Sequence, residues 1–145
     1  MKWLRNIIGG NDIVKDIDHI AIVVSDMDVA VEFYTGVLGL RLIRDGRTEG
    51  GEKKTFIGTK SKVILAMTED KNRKASDGGS AGGVNHIAFG VDDVEKAGNI
   101  LKERGVNFIE EKIGEDGKVQ AYHFLDPDGL ELEICGDTRG EVPQY

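Results

Sequence analysis

Each half of the chain opens with a polar pair followed by a run of β-forming apolar and small residues. Residues 18–24 read Asp-His-Ile-Ala-Ile-Val-Val and residues 85–91 read Asn-His-Ile-Ala-Phe-Gly-Val. Both runs are β-patterned, so each predicts a strand. The match extends from 17–26 over 84–93 at an offset of 67 residues, with His-Ile-Ala identical. A helix follows each strand. In the first copy Ser25 or Asp26 is expected to cap a helix over 27–37, with Val29, Ala30, Phe33, Tyr34 and Val37 inward and Gly36 and Gly39 ending it. In the second copy Asp92 is expected to cap a helix running through Arg104, with Val94, Ala97 and Leu101 inward and Gly105 as the stop. Three short β-patterned segments complete each copy, at 107–113, 119–125 and 130–135 in the second. The pattern is βαβββ, twice. A single domain over 1–145 is expected, with module 1 at about 17–68, a linker at 69–83 and module 2 at about 84–136. No apolar residue larger than Ala occurs in the linker.

The tetrapeptide Asp126-Pro127-Asp128-Gly129 reads as a tight hairpin turn, and it fixes the register of the strand after it. Beyond it Leu130, Leu132 and Ile134 share one strand face and Glu131, Glu133 and Cys135 the other. The same period puts His19 with Ala21 and Val23, and His86 with Ala88 and Gly90. Each first strand thus offers one imidazole beside small residues, and the last strand offers carboxylates. Two His and one Glu suit a divalent cation that keeps open positions for a substrate. Simpler readings stand beside this one. A strand His can be a hydrogen-bonded core residue, Glu131 and Glu133 can be the solvated face of an edge strand, and the acidic pairs Asp26/Asp28 and Asp92/Asp93 suit helix starts. Tyr34 reads as core, and Cys135 as a small buried residue.

Composition narrows the partners. The chain has 145 residues, 26 Asp plus Glu against 19 Lys plus Arg, and a net charge of -7, which argues against a nucleic-acid partner. No run approaches the roughly 18 apolar residues of a membrane span. The first ten residues, with Lys2 and Arg5 among a few apolar side chains, are too broken for a signal peptide, so a cytoplasmic protein is expected. One Cys allows neither an internal disulfide nor a cysteine-rich zinc site, so His and carboxylates must hold any metal. Twenty Gly with two Pro indicate many tight turns.

The segments Asp18-His19-Ile20-Ala21, Phe33-Tyr34, Val37-Leu38-Gly39-Leu40, Asn85-His86-Ile87-Ala88 and Phe124-Leu125-Asp126-Pro127-Asp128-Gly129 leading to Glu133 resemble the vicinal oxygen chelate superfamily. This superfamily includes glyoxalase I, fosfomycin-resistance thiol transferases, extradiol dioxygenases and bleomycin-resistance proteins. The resemblance implies an α+β fold in which two βαβββ modules form a cup-shaped open β-barrel (glyoxalase/dioxygenase-like), usually completed in a homodimer. It also implies one divalent metal ion (Zn, Ni, Mn or Fe) on His19, His86 and Glu133. The fourth position, a Glu in glyoxalase I, maps to Leu65. By the same register His123 points into the cup, where it would serve as general acid or base. As a strand residue it would otherwise be partly exposed.

The subfamily marks are mixed. Ala21 stands where thiol transferases often carry a hydroxyl, and His123 where dioxygenases have a Tyr. The stretch 114–116 lacks the dioxygenase His, while intact His19, His86 and Glu133 set the chain apart from bleomycin-type binders. The leading expectation is a metal-dependent, glyoxalase I-like lyase or isomerase acting on a small substrate chelated through vicinal oxygens, with Glu133 or His123 moving the proton. The alternatives are an extradiol-type dioxygenase, a fosfomycin-type thiol transferase, and a metal-independent small-molecule-binding protein. Substrate choice is expected to lie in 44–58 and in the Gly-rich 76–83.

Overall fold

The computed structural model describes residues 13–48, 54–74 and 83–136. The expectations about the leader and most of the Gly-rich 76–83 fall outside these residues. Module 1 runs β1 (Ile20–Val24), α1 (Met27–Glu32), a π-helical turn (Phe33–Val37), β2 (Arg41–Arg44), β3 (Thr55–Gly58) and β4 (Val63–Glu69). Module 2 runs β5 (Ile87–Val91), α2 (Val94–Glu103), β6 (Phe108–Ile113), β7 (Val119–Leu125) and β8 (Glu131–Gly136). Each forms a four-stranded mixed sheet, ordered β1-β4-β3-β2 and β5-β8-β7-β6. The first strand of each lies parallel to the last, and the remaining neighbours are antiparallel. This is the two-module α+β architecture the repeat predicts.

The helices depart in detail from the sequence reading. Asp26 caps α1, its Oδ1 accepting from the backbone N–H of Asp28 at 2.9 Å and of Val29 at 3.1 Å. The first helical segment spans 27–37 as expected, but it changes from α-helix to π-helix at Phe33. Thr35 Oγ1 donates to the Val31 carbonyl at 2.7 Å and Leu38 N–H donates to the Phe33 carbonyl, five residues back, at 3.1 Å. A hydroxyl bonded to the preceding turn and an i→i+5 bond are the ingredients of a local π-turn. Met27, Ala30, Val31 and Tyr34 form the inward stripe, whereas Val29, expected inward, is exposed. In module 2 the cap is Asp93, not Asp92: its Oδ1 accepts from Lys96 N–H at 2.9 Å. Gly39 leaves the first helical segment at φ 73° and Gly105 follows the second at φ 85°, backbone geometry that favours glycine.

The apolar faces of both sheets and both helices contribute to one core, with Tyr34, Ile57, Leu65, Met67, Phe124 and Leu132 inaccessible to solvent. Gly98 of α2 lies directly against the Tyr122 ring, which itself stacks on Phe108 at 4.3 Å. Two polar links tie the modules together at the Asp126–Gly129 turn. Tyr34 Oη donates to Asp126 Oδ2 at 2.8 Å, and Ser25 N–H donates to Asp128 Oδ2 at 2.9 Å. Burial holds the Asp126 carboxyl above its ordinary range, against the pull of the Tyr34 hydroxyl and the Leu130 and Asp128 N–H groups. Burial, with Asp126 alongside, pushes the Tyr34 phenol upward as well.

The offset of 67 persists through the pairing. Ala21 pairs with Ala66 as Ala88 pairs with Glu133, and Phe56 pairs with Ala66 as His123 pairs with Glu133. The module 1 equivalent of Glu133 is therefore Ala66. Leu65, the position expected from the sequence, corresponds to the core residue Leu132, because Ile20 pairs with Leu65 as Ile87 does with Leu132. The correction leaves the chemistry unchanged, since neither Leu nor Ala binds a metal.

Candidate metal centre

Parity assembles the centre. Strand β8 is flanked by β5 and β7, so Glu133 lies in the interior of a sheet and not on an edge. Ala88 and His123 are its two cross-strand neighbours. His86 lies two residues before Ala88 and so on the same face, as does Glu131, two residues before Glu133. Three adjacent strands thus deliver two imidazoles and two carboxylates to one patch, while Leu132 and Ile134 turn into the core.

His86 Nε2 lies 2.7 Å from Glu133 Oε2. His123 Nδ1 lies 2.8 Å from Glu131 Oε1, and its Nε2 lies 3.4 Å from the same Glu133 Oε2. The two imidazole rings meet edge to face with centroids 5.1 Å apart. The His123 side chain is 2% exposed and that of Glu133 11%, against 29% for His86. His86 therefore marks the solvent side of the patch and His123 the inner side. The reading of His123 as a partly exposed strand residue does not hold. Its Nε2 is buried without a hydrogen bond, 3.4 Å from Glu133 Oε2.

A buried ring nitrogen with no hydrogen bond, beside a carboxylate and a second imidazole, fits a divalent cation. One donor atom from each of His86, His123 and Glu131 falls within 4.8 Å of the others. Glu133 makes the shorter approach to His86, whereas Glu131 is engaged with the far nitrogen of His123. Nδ1 of His86 is occupied by Asn85 Oδ1 at 2.7 Å, leaving Nε2 turned toward the patch.

The structure brings together His86, Glu133 and His123 of the residues singled out in the sequence. His19 does not join that group. Its Nδ1 is held by Asp18 Oδ1 at 2.6 Å, as Asn85 holds His86, and its side chain is 41% exposed. It lines a cleft of about 530 Å³ between the modules, with Ile20, Lys62, Ala88, Gly90 and Cys135. The cleft is lined by Ala88, Gly90 and Cys135 but not by His86, His123 or Glu133, so this recess and the donor cluster are neighbours, not one site. Sequence reasoning assigns Glu131 no role. Its alternation with Glu133 is visible in the chain, but that the Glu131 carboxylate meets the His123 ring depends on the β7–β8 register.

Residues 16–134 match the family model for the Glyoxalase/Bleomycin resistance protein/Dioxygenase superfamily. The metallothiol transferase FosB of Staphylococcus epidermidis is 27% identical over 134 residues, covering 91% of this chain and 89% of that protein. The "Probable lactoylglutathione lyase" of Vibrio parahaemolyticus is 31% identical over 129 residues, covering 86% of this chain and 92% of that protein. Among solved structures, the trypanothione-dependent glyoxalase I of Leishmania major superimposes with a TM-score of 0.66 at 26% identity, covering 88% of this chain and 91% of that one. Repeat, sheet order and similarity agree, and the chain belongs to the Glyoxalase/Bleomycin resistance protein/Dioxygenase superfamily.

Proposed function

We propose that the protein is a metal-dependent enzyme of the glyoxalase I type, a lyase or isomerase acting on a small substrate that presents two vicinal oxygens. The observation that carries this reading is the approach of His86 Nε2 and His123 Nε2 to one oxygen of Glu133 in a largely buried corner. Two carboxylates packed beside two imidazoles are costly to bury unless a cation or protons balance them. His86 and Glu133 would hold the cation, and His19 would join them as a further ligand where two copies of the chain assemble. Two observations support that addition. The His19 ring is oriented by Asp18 as His86 is by Asn85, and its own module offers Ala66 where a carboxylate would stand. Exposed apolar residues on the outer strands, Leu42 and Ile43 on β2 and Ile109 and Ile113 on β6, support a homodimer.

When bound, the cation supplies Lewis-acid stabilisation to substrate oxygens that gain negative charge. Glu133 would take a proton from the substrate carbon and return it to the adjacent carbon. His123 lies almost inaccessible on the core side of Glu133. Asp18 and Asn85 keep the ligating imidazoles from rotating.

One observation favours a second reading. Ala66 stands at the module 1 equivalent of Glu133, so module 1 adds no second carboxylate, which suits one-way addition of a thiol better than two-sided proton transfer. The similarity to FosB points the same way.

The test is elemental analysis of the purified protein and of His86→Ala, followed by assays of hemithioacetal isomerisation and of thiol addition to fosfomycin. About one transition metal per chain, lost in the variant, with isomerase activity, is the expected result. Thiol transfer without isomerisation would select the second reading. No metal in the wild type, and none taken up on soaking, would overturn both in favour of a metal-independent binding protein.

A further inference from the structure

We infer that His123 is an additional metal donor, supplied by β7, and that Glu131 is the positioning residue that turns its Nε2 to the centre. The inference rests on the metal-centred reading above and deepens it. Its first support is the buried Nε2 of His123, which has no hydrogen bond and faces Glu133 Oε2 at 3.4 Å. The second is the state of the other nitrogen. A carboxylate accepts hydrogen bonds, so the 2.8 Å contact with Glu131 Oε1 places the proton of a neutral ring on Nδ1. The lone pair is then on Nε2 and directed at Glu133 and His86. A carboxylate behind an imidazole whose far nitrogen faces the site is the usual support of a metal-bound histidine.

The third support is positional. Module 1 lacks a donor at its equivalent of Glu133, and the same register that puts Ala66 there puts Phe56 at the place of His123. Module 2 therefore supplies from a neighbouring strand a donor that module 1 does not supply. Within one chain the set is His86 Nε2, His123 Nε2 and one Glu133 oxygen. Both Nε2 atoms face the same Glu133 oxygen, at 2.7 and 3.4 Å, so the three donors border a common point. Glu131 stays outside that set, because its Oε1 is committed to Nδ1.

The test uses the intact protein loaded with Co(II). The chain has three His, so coordinated rings can be counted directly. In proton NMR each coordinated imidazole gives one paramagnetically shifted, exchangeable N–H signal. The signal assigned to His123 is expected to disappear in His123→Gln and to shift in Glu131→Gln. The His86 signal should persist in both. Competition titration should show Glu131→Gln binding Zn about 10- to 100-fold more weakly than wild type, and His123→Gln at least as weakly. Circular dichroism and thermal melts of the metal-free variants separate lost ligation from lost folding, and the wild-type signal count stands without any variant. Wild-type spectra without a His123 signal, or His123→Gln with unchanged Zn affinity, would overturn the inference. A wild type that binds no metal would sink the underlying reading as well.

Discussion

The two modules share one frame and differ in what they put on it. Residue for residue at an offset of 67, His19, Phe56 and Ala66 in module 1 correspond to His86, His123 and Glu133 in module 2. Asp26 corresponds to the cap Asp93, and Asp18 behind His19 to Asn85 behind His86. Both halves have the features that keep a βαβββ unit folded: the parallel first-to-last pairing, the capped helix and the apolar face. The chemistry is concentrated in one. A polar cluster needs only side chains of one parity on three neighbouring strands, so it can be kept in one copy and replaced by Phe and Ala in the other without disturbing the ladder.

A similar exchange exists in the helix–sheet layer. Gly98 lies against Tyr122 in module 2, and the equivalent positions in module 1 hold Val31 and Thr55, both buried. Module 2 pairs a glycine with a large strand residue where module 1 has a valine and a small one at the equivalent positions. Transplanting half of that exchange is expected to have the largest effect on stability. In Gly98→Val a Cβ would meet the Tyr122 ring, and chemical denaturation should show a loss of about 3 kcal/mol. Adding Tyr122→Thr should make the double variant more stable than the sum of the two single losses. Simple additivity would show that the two positions are independent.

The link between modules gives a smaller effect with a pH signature. Tyr34→Phe leaves the buried Asp126 Oδ2 without the Tyr34 donor and should cost about 1 to 3 kcal/mol at neutral pH. Asp126 already has its pKa raised above the ordinary 3.8, so its contribution to stability is full below that value and is lost as pH rises through the folded pKa. Without the Tyr34 hydroxyl the carboxyl rises further. The deficit relative to wild type should therefore shrink in thermal melts taken from pH 7 towards pH 4. A deficit independent of pH would show that the hydroxyl acts by packing alone.

The smallest expected effect concerns the feature the modules hold in common. Asp26→Ala and Asp93→Ala should each cost about 1 kcal/mol by denaturant titration. Asp26 has the larger expected share, because it accepts from two backbone N–H groups where Asp93 accepts from one. A clearly larger loss at Asp93 would break the equivalence of the two helix starts.

Much of the architecture is legible in the chain alone. The offset repeat, the 2-residue alternation and the Asp126–Gly129 turn are enough for βαβββ twice and for the strand faces that carry His86 and Glu133. Local bonding is harder to read. Thr35 bonds back to Val31 within the stretch where α1 gives way to a π-turn, and nothing in apolar spacing encodes that change. Apolar spacing also places Val29 inward, whereas Met27 and Val31 take that side of the helix.

By itself the sequence determined which residues share a face, because the pleat makes parity a local property. It also determined that any cation would have to be met by imidazole and carboxylate, because the chain has a single Cys. Tertiary structure alone decided which strands are neighbours. Pairing β8 between β5 and β7 brings His123 to Glu133 and Glu131, assigns Ala66 and not Leu65 to the module 1 equivalent of Glu133, and leaves His19 outside the cluster. The physical reason is that strand register is fixed by burying the apolar face of the whole sheet, so each cross-strand contact on the polar face depends on a core that no single segment encodes.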